Sequence, residues 1–426
     1  MRVELVNTVA LNGGDAAILL AIRAQLERAL GDDLTLVARD PEPQAAGMRY
    51  PEVAFATPAA AAIRPRSIRY AGRAQRELDL LRWRAAARAL RVAPELTRAL
   101  LRAGERGALA GYASAELGVS TGGTYLVERY GIWRKVFEID LLRALGIPVV
   151  LYTQSLGPFA RRSNRRAMRR IAGRADLVLL RDEVSRLHLL ELGVAPDRLH
   201  VVADAVFTFA RDAPRDPPPS PRRIVVSVRE WPFTGNAANY AEAVGRLVCH
   251  LVRRCGAEVT FLSTCQGVRE YWTDDAREAH RIAAALPGDV RDAVTVDGDF
   301  HRPEALLDIL AGFDLAVSTR MHHAILSLCA GTPVLPVAYE FKTRELFERL
   351  GLGAVVTDID ALGSDGLVDA FERFWGQREE WRRTLPAAVA REHRLADQAA
   401  ALVGELLADT TRRRALAVRA ASRKNP

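Results

Sequence analysis

The chain has 426 residues, 49% of them hydrophobic and 26% charged, a globular composition with enough length for two separate cores. Net charge is +8, mostly through an excess of Arg, which reads first as solvated helix faces and otherwise as a preference for anionic partners; without zinc-finger spacing or basic residues interleaved with aromatics, nucleic acid ranks low among them. No uncharged apolar run reaches the ~18 residues of a membrane-spanning helix.

Further along the same line, the N-terminus enters a strand-like segment at once, without a signal-peptide pattern. Four cysteines, at positions 249, 255, 265 and 329, lack metal-ligand or disulfide-framework spacing. A reducing cytoplasm is the expected location, with no structural metal and no cofactor.

Residues 1–7 read as a short buried strand. Asn12-Gly13-Gly14-Asp15 follows, then helix-period apolar spacing to Leu30. A Gly-rich loop between strand and helix lets backbone amides approach a ligand closely, though the same residues also suit a tight turn with Asp15 as helix cap. Leu34 to Ala38 is a second strand, and an irregular segment with Pro41, Pro43, Pro51 and Pro58 follows it. The stretch 67–110 is rich in Ala, Leu and Arg and reads as a helical insertion, broken near Pro94 and Gly104.

Strands over residues 116–121 and 149–152 end in Thr121-Gly122-Gly123-Thr124 and Gln154-Ser155-Leu156-Gly157-Pro158-Phe159. The second is a candidate binding loop, with a plain turn as the alternative. Arg161 to Arg174 is a basic helix. Leu177 to Leu180 leads to Arg181-Asp182, and Val201-Val202 to Asp204. Six or more strand–helix alternations predict a doubly wound α/β domain over residues 1–212. Asp212 to Arg223 carries Pro214, Pro217, Pro218, Pro219 and Pro221, a linker composition that marks the domain boundary.

A second α/β domain is expected over 224–375, with C-terminal helices over 376–409 crossing back and a basic tail over 410–426. Its strands end in polar residues: Arg229-Glu230, then Ser263-Thr264-Cys265-Gln266, then Arg320-Met321-His322-His323, then Tyr339-Glu340-Phe341-Lys342. In an open parallel sheet such ends converge on one edge, where ligands bind. Arg229, Arg320 and Lys342 with His322 make a pocket for a small polyanion carrying phosphate or carboxylate. Arg229 and Lys342 also fit surface ion pairs, and His323 reads as structural.

The order of these motifs resembles the polysaccharide pyruvyl transferase family over residues 5–345. Asn12-x-Gly14-Asp15 is similar to its opening motif, the 154–159 loop to its central Gly-Pro loop, and Arg181-Asp182 with Ser185 and Asp204 to its middle segments. Arg320-Met321-His322 matches an Arg-Leu-His signature with Met for Leu, and Gly331-x-Pro333 with Tyr339-x-x-Lys342 completes it. One departure is Thr121-Gly122-Gly123, where the family often has three glycines.

The resemblance implies a GT-B-like fold: two Rossmann-like, doubly wound parallel-sheet domains with an interdomain cleft. It implies phosphoenolpyruvate as donor co-substrate and a sugar of a glycan or lipid-linked oligosaccharide as acceptor, joined as a pyruvate ketal with release of phosphate. His322 would be the general acid and Asp15 a base. Arg229, Arg320 and Lys342 would bind the donor, while Asn12, Gly14 and Gln154, placed in the first domain, would meet the acceptor. Basic helices give a peripheral contact with an anionic membrane at its inner face a place in this picture. Two other readings stand: a nucleotide-sugar glycosyltransferase of the same fold, and a glycan-binding relative without turnover.

Overall fold

The computed structural model describes residues 1–31, 33–63, 70–128, 131–211, 218–230 and 237–422, with backbone only for 70–74, 237–238 and 410–422. The chain divides into two compact units. Unit 1 comprises Met1–Val9, Ile22–Ala205 and Leu395–Pro426; unit 2 comprises Ala10–Ala21 and Val206–Arg394. The first half of the Pro-rich stretch expected to be the linker, residues 212–217, lies outside the described residues, as does the end of the basic tail.

Unit 1 is built on seven strands: β1 (Arg2–Val6), β2 (Thr35–Arg39), β3 (Ala54–Ala56), β4 (Leu117–Ser120), β5 (Val149–Gln154), β6 (Leu177–Leu180) and β7 (Leu199–Val201). They lie in the order β3-β2-β1-β4-β5-β6-β7, all parallel. Continuous apolar runs such as Leu177–Leu180 are what a sheet covered on both faces requires. β3 was not legible in the proline-studded segment around it, because three residues carry too little periodicity.

The Arg-rich region forms helices Tyr70–Val92, Leu96–Leu100 and Ala103–Ala113. Trp83 is fully buried and meets Phe137 edge-on at 6.0 Å, inside a cluster that includes Ala87, Leu109, Leu142 and Ile171. Its arginines pair locally: Arg82 with Glu105 at 2.8 Å and Arg84 with Asp140 at 2.6 Å.

Unit 2 repeats the plan with six parallel strands: β8 (Arg223–Ser227), β9 (Glu258–Phe261), β10 (Val294–Val296), β11 (Leu315–Ser318), β12 (Val334–Ala338) and β13 (Thr357–Asp358). Their order is β10-β9-β8-β11-β12-β13. The chain reverses its direction of travel across the sheet between β8 and β11, the switch point where open α/β sheets seat ligands. The doubly wound α/β reading therefore holds for both units. Among the described residues no helix is long and apolar enough to cross a membrane.

Candidate active site

Arg229 follows β8, the loop Leu262–Asp274 follows β9, Arg320 and His322 follow β11, and Tyr339 to Lys342 follow β12. Because neighbouring strands are parallel, all four segments leave unit 2's sheet at one edge. The switch point lies between Arg229 and His322.

Tyr339 gathers two of the cations. The Arg229 guanidinium lies over its ring, 4.3 Å from the centroid, and Lys342 Nζ is 5.8 Å from it. Both approach the negative face of the ring. Lys342 also pairs with Glu340 at 2.7 Å, with both side chains largely buried.

Arg320 is differently engaged. Its Nε and Nη2 donate to the two oxygens of Asp275, at 2.7 and 2.5 Å, in a forked pair. Asp275 is buried and also accepts from Ser263 Oγ at 2.6 Å. Burial alone would lower the Arg320 pKa, but the Asp275 carboxylate outweighs it and holds the guanidinium well above its usual value. Arg320 is the residue that opens the helix Met321–Cys329. Clamping its side chain therefore fixes the first turn, and with it the half-buried His322.

His323 points away from this chemistry. It is fully buried, its Nδ1 lies 2.7 Å from Ser318 Oγ, and burial pushes its pKa down to about 3. It is the structural histidine that its place beside His322 suggested.

The first Gly-rich loop was expected with the first domain. Instead Ala10–Ala21 belongs to unit 2. Gly13 N–H donates to the Thr264 carbonyl at 3.0 Å, joining the loop after β9. Gly14 faces His322: a Cβ there would stand 2.8 Å from Nδ1 and 3.0 Å from the imidazole's own Cβ. The glycine is required by this close approach, not by its backbone angles. Asn12 Oδ1 accepts from Gly14 N–H at 3.0 Å as a helix cap, and its Nδ2 donates to Tyr271 Oη at 3.3 Å. Asp15 is half-buried in the first turn of the helix Gly13–Leu30, within electrostatic reach of Tyr271 and Cys265. Burial raises the Tyr271 pKa and pushes the Cys265 thiol up to about 12, so both stay protonated.

Asn12, Gly14, Asp15, Arg229, Arg320, His322 and Lys342 thus assemble within unit 2. Gln154 does not join them. It lies in unit 1, fully buried, and its amide donates to the carbonyls of Ser120 and Thr121. Asp275 and Tyr271 escaped the sequence reading, since an acid at the start of a helix and an aromatic in a loop look ordinary. Among the described residues no cluster of His, Cys, Asp or Glu is placed to hold a metal.

A model of the polysaccharide pyruvyl transferase family matches residues 12–340. The chain belongs to this family. That match runs from the cap residue Asn12 to Glu340, spanning every site residue except Lys342. The amylovoran biosynthesis protein AmsJ of Erwinia amylovora is 28% identical over 299 residues, which is 66% of this chain and 70% of that relative.

Solved structures with the same fold include Anabaena Alr3699/HepE in complex with UDP and glucose, at 13% identity and a TM-score of 0.54, covering 96% of this chain and 99% of that one. UDP-GlcNAc 2-epimerase from Neisseria meningitidis, bound to UDP-GlcNAc, gives 10% identity and a TM-score of 0.56 over 96% and 100%. At such identities the likeness concerns the fold: GT-B-like, with two parallel-sheet α/β domains. As a member of this family, the chain is a transferase of polysaccharide biosynthesis.

Proposed function

We propose that the protein transfers pyruvate from phosphoenolpyruvate to two hydroxyls of one sugar in a glycan, forming a cyclic ketal and releasing phosphate. One observation carries this reading most: Arg229 and Lys342 flank the Tyr339 ring on the same strand edge from which the His322 helix starts. A three-carbon enol phosphate with a carboxylate needs two cationic contacts and one proton donor, and this edge supplies that set.

His322 would protonate the methylene carbon of the donor, making the central carbon electrophilic. Arg229 would hold the phosphate and Lys342 the carboxylate. A sugar hydroxyl then attacks the central carbon and loses its proton to Asp15. The C–O bond to phosphate breaks and a second hydroxyl closes the ring; its proton restores the His322 imidazolium, and the proton held by Asp15 leaves with the phosphate. The reaction needs no metal or redox partner to balance. Arg320, clamped on Asp275, is assigned to positioning the His322 helix and not to the donor. Asn12, similarly, orients the Gly14 loop.

The helix Arg162–Ala172 of unit 1 exposes Arg162, Arg165, Arg166 and Arg169, which would let the enzyme rest on an anionic membrane carrying a lipid-linked acceptor. Equal co-sedimentation with neutral and anionic vesicles would remove that part of the proposal.

Thermal shift tests the donor. Phosphoenolpyruvate should raise the melting temperature and UDP- or GDP-sugars should not. The reverse pattern would favour the second reading, a nucleotide-sugar glycosyltransferase, which has in its favour that Alr3699/HepE was solved with UDP and glucose. Phosphate release from phosphoenolpyruvate, dependent on a glycan acceptor, then tests the transfer itself.

A further inference from the structure

Among the described residues seven large hydrophobic side chains are exposed, and six of them belong to unit 1. The one in unit 2 is Trp272, at 82% exposure. It lies in the loop Leu262–Asp274, beside the candidate active site. Its neighbour Tyr271 makes a tilted ring contact with it, centroids 5.6 Å apart. Tyr271 in turn accepts from Asn12, Asn12 caps the turn at Gly14, and Gly14 packs on His322. A short chain of contacts therefore runs from the exposed indole to the imidazole.

The loop that presents Trp272 is fixed on both sides. Gln266 Nε2 donates to the carbonyls of Asp297 and Asp299, at 2.7 and 2.9 Å, while its Oε1 accepts from Ser263 N–H at 2.7 Å. Tyr271 N–H donates to Val268 at 3.2 Å, and Asp275 N–H to Cys265 at 2.8 Å. Single exposed apolar side chains are common and need no account. A tryptophan held out by an anchored loop next to catalytic groups is a different case. Its indole N–H meets no protein acceptor among the described residues.

We propose that Trp272 is the platform on which a pyranose ring of the acceptor glycan stacks. A sugar ring presents C–H bonds of slightly positive character on its faces and hydroxyls at its rim. The indole offers a broad, electron-rich face with a donor at its edge, which matches both. The acceptor hydroxyls would then be held at the end of the loop that Tyr271 ties to Asn12. This inference rests on the proposed glycan-modifying function and adds the residue that recognises the acceptor.

The test uses cellobiose, lactose and mannobiose as probes, with binding followed by saturation-transfer NMR on the full chain. Wild type should bind at least one of them. Trp272→Ala should weaken that binding about tenfold, with Trp272→Phe in between, because a smaller ring keeps part of the stacking face. Melting temperature should move by no more than about a degree, since the side chain is exposed. The thermal shift with phosphoenolpyruvate should be unchanged in both variants. Failure of every probe to bind wild type, or equal binding by Trp272→Ala, overturns the platform. Trp272-dependent saccharide binding without any response to phosphoenolpyruvate leaves the platform standing and removes the pyruvyl donor instead.

Discussion

The two sheets have the same strand order at their core, and each ends in a motif-rich edge, yet the edges are built differently. In unit 1 the edge is closed. Arg181 pairs with Asp204 and donates to Ser155 Oγ at 2.7 Å and Thr124 Oγ1 at 2.9 Å. Ser155 donates to Asp182 at 2.5 Å, Asp182 caps Ser185 N–H at 2.7 Å, and Ser185 Oγ accepts from Leu156 N–H at 2.7 Å. Arg181, Asp182, Ser155, Ser185 and Asp204 are all buried. In unit 2 the corresponding edge leaves Asn12, Asp15, Arg229, His322 and Lys342 half-buried. On the proposed function the family motifs do two different jobs: a polar knot that fixes the 154–159 loop, and a set of half-buried polar and charged groups that would meet a substrate.

Substitution separates the two jobs. His322→Ala should lower kcat by about 10²–10⁴-fold, the usual contribution of a general acid, with the melting temperature nearly unchanged. A loss below about tenfold in acceptor-dependent phosphate release would remove His322 from that role. Asp204→Ala should act in the opposite sense. It leaves Arg181 as a buried charge without its counter-ion, at a cost of about 3–5 kcal/mol in urea unfolding. Were Asp204→Ala as stable as wild type, the knot would not be what holds this edge together.

Asp275 stands between these cases, because it is buried like unit 1's acids but serves unit 2's open edge. Asp275→Asn keeps the volume and removes the charge that clamps Arg320. We expect kcat to fall about ten- to a hundredfold through displacement of the His322 turn, with little change in KM for phosphoenolpyruvate. A large rise in that KM at constant kcat would instead make Arg320 a donor ligand, as its motif resemblance first suggested.

The contrast also explains what could be read in advance. Alternating strands and helices were legible because runs such as Leu177–Leu180 and Val334–Ala338 are apolar throughout and bounded by turns. Arg229, His322 and Lys342 were legible because a parallel sheet collects its strand ends on one edge. The grouping of Asn12–Asp15 with unit 2 was not, since it depends on Gly13 meeting Thr264, some 250 positions later in the chain. Nor was the engagement of Arg320 by Asp275, because pairing between distant acids and arginines leaves no local spacing. Gln154 illustrates the remaining gap: a polar residue after a strand looks the same whether it faces a ligand or the carbonyls of Ser120 and Thr121.

A buried acid in unit 1 gives the smallest and most specific test of how closed that unit is. Glu138 is buried on the helix Trp133–Ala144 and accepts from Tyr112 Oη and from Ala60 N–H at 2.7 Å. Arg39, over the Tyr112 ring at 4.0 Å, and Glu4, paired with Arg39 at 2.6 Å, complete the cluster. Burial pushes the Glu138 pKa from its ordinary 4.5 up to about 7; the two hydrogen bonds and Arg39 oppose the rise, and Glu4 adds to it. The folded state thus binds this proton more tightly than the unfolded chain. Its contribution to stability is complete below pH 4.5 and is lost as pH climbs to about 7. Glu138→Gln cannot lose that proton, so between pH 5 and pH 8 its urea stability should improve relative to wild type by roughly 2 kcal/mol. Parallel pH profiles for the two proteins would mean that water reaches the carboxylate, and that unit 1 is less sealed than its buried network implies.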